Sequence, residues 1–463
     1  MPVRLIIESR SLGELALKVT QQVSIQRNLT QGPKDILGDV FLSPAEQGWW
    51  HKYQNVSATP HAAAFNVPLV CSLSPAVNHK SLAEAWTTVI SRHKILRSRF
   101  VKTHCGEPRR IFSQIQPPVR MVDFIDVPGE INRPFNLSTD DLIRVSISPI
   151  NITVIISHII CDLTALRVLL KEVTEAYLHP EYPLPLVERA YTEVCAWSQP
   201  PSPREIAFWV TYLKDIPAPR SCTGHKKLTG HAGTSRIISI CSSLYKKILG
   251  LAKEHSATLH QIALLAVALT IQSLTNTTDT VLGSPFLNRP DISDQNVVGL
   301  FLEPLPMRLN FSDSNNEELG TAALIARVRD SSQAALAHAV PWIFFLTHPN
   351  FLAHNYESAY PIFDTAVSFH DYRYDELTFG IPGIGKPEVV YTEGAKFKLL
   401  FEFTAATEGL TVRLEYDTER VQEGCTNLVE GALKNTLEAL CDGATLKQVM
   451  ASARCSEALL YGV

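Results

Sequence analysis

Ile143-Arg144-Val145-Ser146-Ile147, followed by Ile152-Thr153-Val154-Ile155-Ile156-Ser157-His158-Ile159-Ile160-Cys161-Asp162, is the stretch whose reading decides the fold. Two β-rich runs flank a turn at Pro149 to Asn151. In the run Ile152 to Ile160, Ile152, Val154, Ile156 and His158 share one face, and Thr153, Ile155 and Ser157 share the other. Both faces are largely apolar, so the strand is predicted to be central and covered on both sides. A helix is predicted from Thr164 to Tyr177, with Leu166, Leu169, Leu170, Val173 and Tyr177 inward. An imidazole at the end of a buried strand, just before a helix, stands where an open α/β sheet presents functional groups.

The same alternation extends in both directions. Upstream, Phe65 to Val70 reads as a strand, and Leu82, Ala85, Trp86, Val89 and Ile90 follow helical spacing. Downstream, Ser202-Pro203-Arg204-Glu205 opens a helix bearing Trp209, Tyr212 and Leu213. Beyond Cys222 to Gly233 come a strand at Ser235 to Ile240 and helices at Leu244 to His255 and Leu259 to Leu274. Further strands are expected at Thr280 to Ser284, Phe363 to Phe369, Lys396 to Phe403 and Leu410 to Tyr416, then a helix at Cys425 to Leu440. Strand and helix units in both halves argue an α/β fold with two similar-sized lobes, residues 41–221 and 222–463. Residues 28–40 read as a linker, and residues 1–27 as a separate piece whose helix starts at Ser11.

Composition narrows the function classes. The 463 residues are 45% hydrophobic and 19% charged, an ordinary globular balance. A net charge of -4 gives no electrostatic footprint for nucleic acid. Nine scattered Cys without a C-x-x-C pair read as reduced thiols. The longest apolar run, Ile262 to Leu269, falls far below the ~20 residues that span a bilayer. The expectation is a soluble cytoplasmic protein with no membrane partner. No phosphate-binding glycine loop, nucleophile elbow or zinc-ligand spacing occurs, and no metal site is expected.

His158 is the strongest chemical candidate. A neutral imidazole there accepts a proton from an attacking amine, alcohol or water. Asp162, four residues on, either orients the imidazole or pairs with a distant Arg. On the residues alone, His158 as a core histidine bonded to backbone stays open. A metal pair lacks a third ligand.

Ser157 to Asp162 is similar to the H-H-x-x-x-D-G signature of condensation domains of nonribosomal peptide synthetases, which are chloramphenicol acetyltransferase-like acyltransferases. Leu42 to Trp50 resembles their opening S-x-A-Q-x-R-L-W motif. Arg92 to Phe100 resembles R-H-E-x-L-R-T-x-F, Tyr191 to Trp197 resembles Y-x-D-Y-A-x-W, and Phe208-Trp209 the later aromatic pair. Gly283 to Pro290 resembles G-x-P-x-x-x-R-P, and Val298 to Arg308 resembles I-G-x-F-V-N-T-L-P-L-R. The matches run in family order from about residue 40 to 440.

The resemblance implies a V-shaped pair of lobes with the active site in a tunnel between them. Substrates would arrive on the phosphopantetheine arms of carrier domains, with no cofactor bound by the domain itself. His158 matches the catalytic His. Asp162 matches a structural Asp held by an Arg, for which Arg289 and Arg97 fit. Ser157, Leu163, Tyr177 and Ser284 are the expected neighbours of the site. Ser157 replaces the first His, and Leu163 replaces a Gly where a side chain narrows the tunnel. Glu303 and Pro304 replace Asn-Thr, and Lys398 stands where a substrate-facing Asp often occurs.

Residues 1–27 resemble the end of an acyl carrier domain of polyketide-synthase type. The arrangement is similar to the condensation domain that ends fungal highly reducing polyketide synthases and polyketide–peptide hybrids, the lovastatin nonaketide synthase type. The partners implied are an upstream acyl carrier domain and a downstream or separate acceptor. Three functions follow from the resemblance. The first is transfer of a polyketide acyl thioester to form an amide or ester, or to release product. The second is a catalytically impaired scaffold that docks carriers. The third is cyclising release, suggested by the spacing from Ser157 to Tyr177.

Overall fold

The computed structural model describes residues 41–454 apart from 55, 58, 195–199, 217–230, 290, 313–318, 353–361, 375 and 408. The carrier-like segment 1–27, the linker 28–40 and the lobe boundary at 221/222 lie outside the described residues. In chain order the described strands are β1 Asn66–Leu73, β2 Ser98–Lys102, β3 Pro108–Phe112, β4 Val119–Met121, β5 Ile143–Ile147, β6 Asn151–Ser157, β7 Gly233–Ile240, β8 Asp279–Leu287, β9 Leu302–Asn310, β10 Thr365–Asp371, β11 Ile384–Pro387, β12 Leu399–Ala405 and β13 Leu410–Asp417. They form one sheet ordered β11-β1-β6-β5-β4, a second ordered β7-β13-β12-β10-β8-β9, and the hairpin β2-β3.

β6 is central, as its two apolar faces predict. It pairs antiparallel with β1 (Asn66 opposite Ser157) and with β5 (Ile143 opposite Ile156), and Ile152 to Ile156 are all buried. The strand ends at Ser157, not at the expected Ile160. His158–Ile160 wind into a 3-10 turn closed by the Cys161 amide on the His158 carbonyl at 3.3 Å. That turn lifts the chain off the ladder and brings Asp162 round as N-cap of the helix Leu163–Leu178, its carboxylate accepting from the Ala165 amide at 2.8 Å. Leu166, Leu169, Leu170 and Val173 of that helix are buried. They stand at i, i+3, i+4 and i+7, the stripe that lays a helix on a sheet.

In the second sheet, Ile238, Val367, Phe401, Phe403, Val412 and Leu414 share a core with the helices Ser242–Glu254, Leu259–Thr275 and Glu423–Cys441. The alternate residues, Ser368, His370, Glu402, Arg413 and Glu415, occupy the other face. No single helix among the described residues is long and apolar enough to cross a membrane.

The two halves exchange elements, so packing does not follow a cut at residue 222. β11 completes the edge of the first sheet, its Cys71–Pro387 pair closing on β1. Val297, Val298, Leu300 and Phe301 pack in the first core. The helix Pro203–Tyr212, assigned by sequence to the first lobe, packs in the other direction. Its Trp209 is buried among Leu305, Met307 and Phe345, and the indole N–H donates to the His338 carbonyl at 2.7 Å. A linear reading misses this because each helix buries its stripe on whichever face tertiary folding offers. The strand β9 and the helix Thr321–Ala337 also have no counterpart among the elements expected from sequence.

Candidate active site

The site begins at the end of β6. The His158 ring stacks on Trp49, with centroids 4.4 Å apart and planes 19° from parallel. Trp49 comes from the helix Pro44–Gln54 and meets Phe65 edge-on at 5.7 Å. Nδ1 of His158 is sealed from solvent and unpartnered among the described residues, yet the residue as a whole keeps part of its surface exposed. Burial, joined by the nearby Lys396 charge, pushes the imidazole down to about 4, so the ring is neutral at physiological pH.

Asp162 is a fastener. Its Oδ1 accepts from Ala165 N and from Arg289 Nη2 at 2.9 Å, and its Oδ2 accepts from Arg289 Nη2 at 3.1 Å and from Phe301 N at 3.0 Å. Arg289 donates also to the carbonyls of Asp294 and of Val297, the latter at 2.8 Å, and lies over the Phe301 ring at 4.1 Å. Both side chains are fully buried. A buried pair survives only when further hydrogen bonds satisfy its remaining atoms, and these do so by clamping the 289–301 segment to the head of the His158 helix. A second buried cluster holds the same segment. Glu46 pairs with Arg110, Ser43 Oγ meets Tyr191 Oη at 2.7 Å, and Tyr191 Oη donates to the Leu300 carbonyl.

Facing His158 is the polar side of the second sheet. Lys396 Nζ donates to the Ala64 carbonyl of the first half at 3.2 Å and to Glu415 at 2.9 Å. Arg413 bridges Glu415 at 2.9 Å and Glu402 at 3.0 Å, and His370 Nε2 meets Glu402 at 2.9 Å. Burial alone would raise the Glu402 carboxyl, but His370, Arg413 and Lys396 hold it well below the usual carboxylate range. Glu402, Lys396 and Asp162 all act electrostatically on His158.

The sequence expectations divide. His158, Asp162 and Arg289 come together. Ser157 is buried beside them, its hydroxyl unpartnered among the described residues, and Leu163 opens the helix, half-buried. Arg97 is not the Asp162 partner. It ends the turn Lys94–Arg97 and makes no bond to Asp162, whose oxygens are already taken. Tyr177 sits at the far end of the helix, ~21 Å from Leu163 at 1.5 Å per residue. Its hydroxyl accepts from the Asn78 amide at 2.9 Å. Ser284 bonds to His260 Nε2 at 2.9 Å and faces the helix Leu259–Thr275 rather than His158. Lys398 pairs with Asp364 at 3.0 Å. Glu303 is buried, accepts only from Trp342 N at 2.9 Å among the described residues, and burial pushes it up to about 8.

The sequence reading missed His370, Glu402, Arg413, Glu415 and Lys396 as a group. Their signal is polar or charged residues at alternate positions of strands otherwise built from Phe, Val and Leu, as at Arg413, Glu415 and Asp417 of β13 and Ser368 and His370 of β10.

Two α/β halves, a strand exchanged between them and an imidazole at the end of a central strand define the chloramphenicol acetyltransferase-like class of fold, as the solved structures agree. The X-domain from teicoplanin biosynthesis matches with TM-score 0.76 at 15% identity, covering 90% of this chain and 98% of that one. The condensation domain of the Monacolin K polyketide synthase MokA matches with TM-score 0.72 at 15% identity, covering 89% and 100%. At such identity these speak for the fold alone. Residues 36–450 match the family model of the Condensation domain, and the chain belongs to that family.

Nonribosomal peptide synthetase criC of Aspergillus cristatus is 38% identical over 495 residues, 99% of this chain and 23% of that protein. Nonribosomal peptide synthetase gliP of Aspergillus fumigatus is 31% identical over 447 residues, 95% of this chain and 20% of that protein. The chain thus spans less than a quarter of these relatives. Condensation domains transfer acyl groups in concert with carrier domains.

Proposed function

We propose that this domain joins an acyl thioester on one carrier domain to an amine on another, with His158 as the base. The observation that carries the reading is the His158 ring itself. It is fixed by Trp49, sealed at Nδ1, still partly exposed, and kept neutral by burial and Lys396. The amine nitrogen attacks the thioester carbon and loses a proton to the imidazole. The C–S bond then breaks, and the leaving thiolate takes that proton. The oxyanion formed on the way needs donors. The amides of Leu163 and Thr164 suit this, because the first N–H groups of a helix have no intrahelical acceptor, whereas that of Ala165 is spent on Asp162.

Phosphopantetheine on the carriers holds both substrates, and much of the rate comes from that tethering. The relatives are named as peptide synthetases, which supports an aminoacyl or peptidyl donor over the polyketide chain expected from residues 1–27. Tyr177, at the far end of the helix with its hydroxyl accepting from the Asn78 amide, supports linear transfer over cyclising release.

The test is His158→Ala in a carrier-loaded transfer assay, with circular dichroism as the folding control. Loss of transfer of at least ~100-fold with the fold intact is expected, the usual worth of a positioned base. Unchanged turnover, or unchanged product yield when only domain deletion lowers it, would establish the scaffold role instead. Mass spectrometry of the product separates a linear amide from a cyclised release product.

A further inference from the structure

The transfer reading leaves one difficulty. An α-amino group has a reference pKa of about 7.8, so at pH 6.5 only about one in twenty is neutral and nucleophilic. His158, held neutral down to about pH 4, is a poor acceptor for the proton that an ammonium must shed first. A second imidazole is bonded to Glu402, whose charge acts on His158.

His370 lies near the end of β10, on the polar face of the second sheet, and it is only partly buried. Its Nε2 meets Glu402 Oε1 at 2.9 Å and Ser368 Oγ at 3.4 Å. Both contacts fall on the same nitrogen. The Ser, His and Glu therefore do not form a nucleophile relay, and Nδ1 is without a hydrogen bond among the described residues. An Nε2–H donated to Glu402 leaves the Nδ1 lone pair free.

The next residue but one, Tyr372, stacks on His370 at 6.0 Å and receives the Arg167 guanidinium over its ring at 5.9 Å. Arg167 stands one turn beyond Leu163, so the two share a face of the helix that follows His158. That face meets the end of β10. His370 thus borders the space at the head of the His158 helix, and Glu402 is near enough to act on His158 itself. The other charged and titratable groups around His370 are Arg413 beyond Glu402, His260 from the helix Leu259–Thr275, and the adjacent Asp371–Arg373 pair.

We propose that His370, oriented by Glu402, is a second catalytic base, which takes the first proton from an acceptor that arrives as a carrier-borne primary ammonium. This rests on the transfer reading. An N–H bond of the ammonium breaks and its proton joins Nδ1 of His370. The freed electron pair attacks the thioester carbon, a second N–H proton passes to His158, and the C–S bond breaks with the thiolate taking that proton. His370 returns its proton to solvent. Glu402 stays ionised throughout and balances the imidazolium.

The test compares two nucleophiles in one preparation, so the ratio is independent of the folded fraction. The donor is an acyl-pantetheine thioester. The acceptors are an α-amino-acid amide and hydroxylamine, a much weaker base that is largely neutral at the same pH. His370→Gln is expected to lose transfer to the amide by up to about twentyfold at pH 6.5, the inverse of the neutral fraction. It is expected to stay within about twofold of wild type for hydroxylamine, and for the amide by pH 9. Glu402→Gln, read by the same ratio, serves if His370→Gln does not fold. Equal losses with both acceptors, a loss constant with pH, or no loss at all overturn the proposal. Wild-type enzyme inactive toward both acceptors overturns the transfer reading instead.

Discussion

Replacing Asp162 with Ala removes the fastener between the His158 helix and the 289–301 segment. The Arg289 charge then loses its paired carboxylate while its side chain stays without exposure. Breaking a buried pair from one side costs about 3–5 kcal/mol. The same change deletes a helix cap worth about 1 kcal/mol and strands the Phe301 amide. These losses share one carboxylate and do not add, so the expected cost is about 4–5 kcal/mol.

At roughly 2.1 cal/mol/K per residue, a chain of 463 residues has an unfolding entropy near 1 kcal/mol/K. The melting temperature should therefore fall by about 4–5 °C in scanning calorimetry. Asp162→Leu combined with Arg289→Met removes both charges and should recover at least half of that, because the penalty is the unpaired charge and not the missing attraction. A drop under about 1 °C for Asp162→Ala, or a double variant no better than the single, would refute the role assigned to the pair.

Other outcomes follow from the same geometry. A Cβ at Gly299 would sit 2.1 Å from the Tyr191 ring, so Gly299→Ala should cost about 1–3 kcal/mol by denaturant titration, and a neutral result would mean that Tyr191 is free to move. Glu303 is raised to about 8, so the native state favours its protonated form, and its contribution to stability declines as pH rises from 4.5 towards 8. Glu303→Gln should therefore gain on wild type across that window, by no more than about 5 kcal/mol, and a gap that does not widen with pH would show the carboxyl is not buried neutral. His158 is lowered to about 4, so its ring should stay neutral through pH 5 in an NMR titration assigned with His158→Ala, and a midpoint near 6.5 would mean the site is open to bulk water. Stability linked to this group is lost as pH falls below 6.5 towards 4.

Local chemistry made much of this molecule legible in the sequence. The alternation through Ile152 to Ser157 determined a central strand, the stripe at Leu166, Leu169, Leu170 and Val173 determined the helix after it, and Ser202 with Glu205 determined a capping box, because each depends on residues within a few positions of one another. His158 stood out for the same reason. What tertiary structure decided is which distant groups meet. Asp162 chose Arg289, 127 positions away, over the equally basic Arg97. Tyr177, on the same helix as Leu163, was carried ~21 Å off by helical rise alone. The wall of Lys396, Arg413, Glu402 and His370 exists only because neighbouring strands set their alternate residues side by side, and pairing register is not encoded in any single strand.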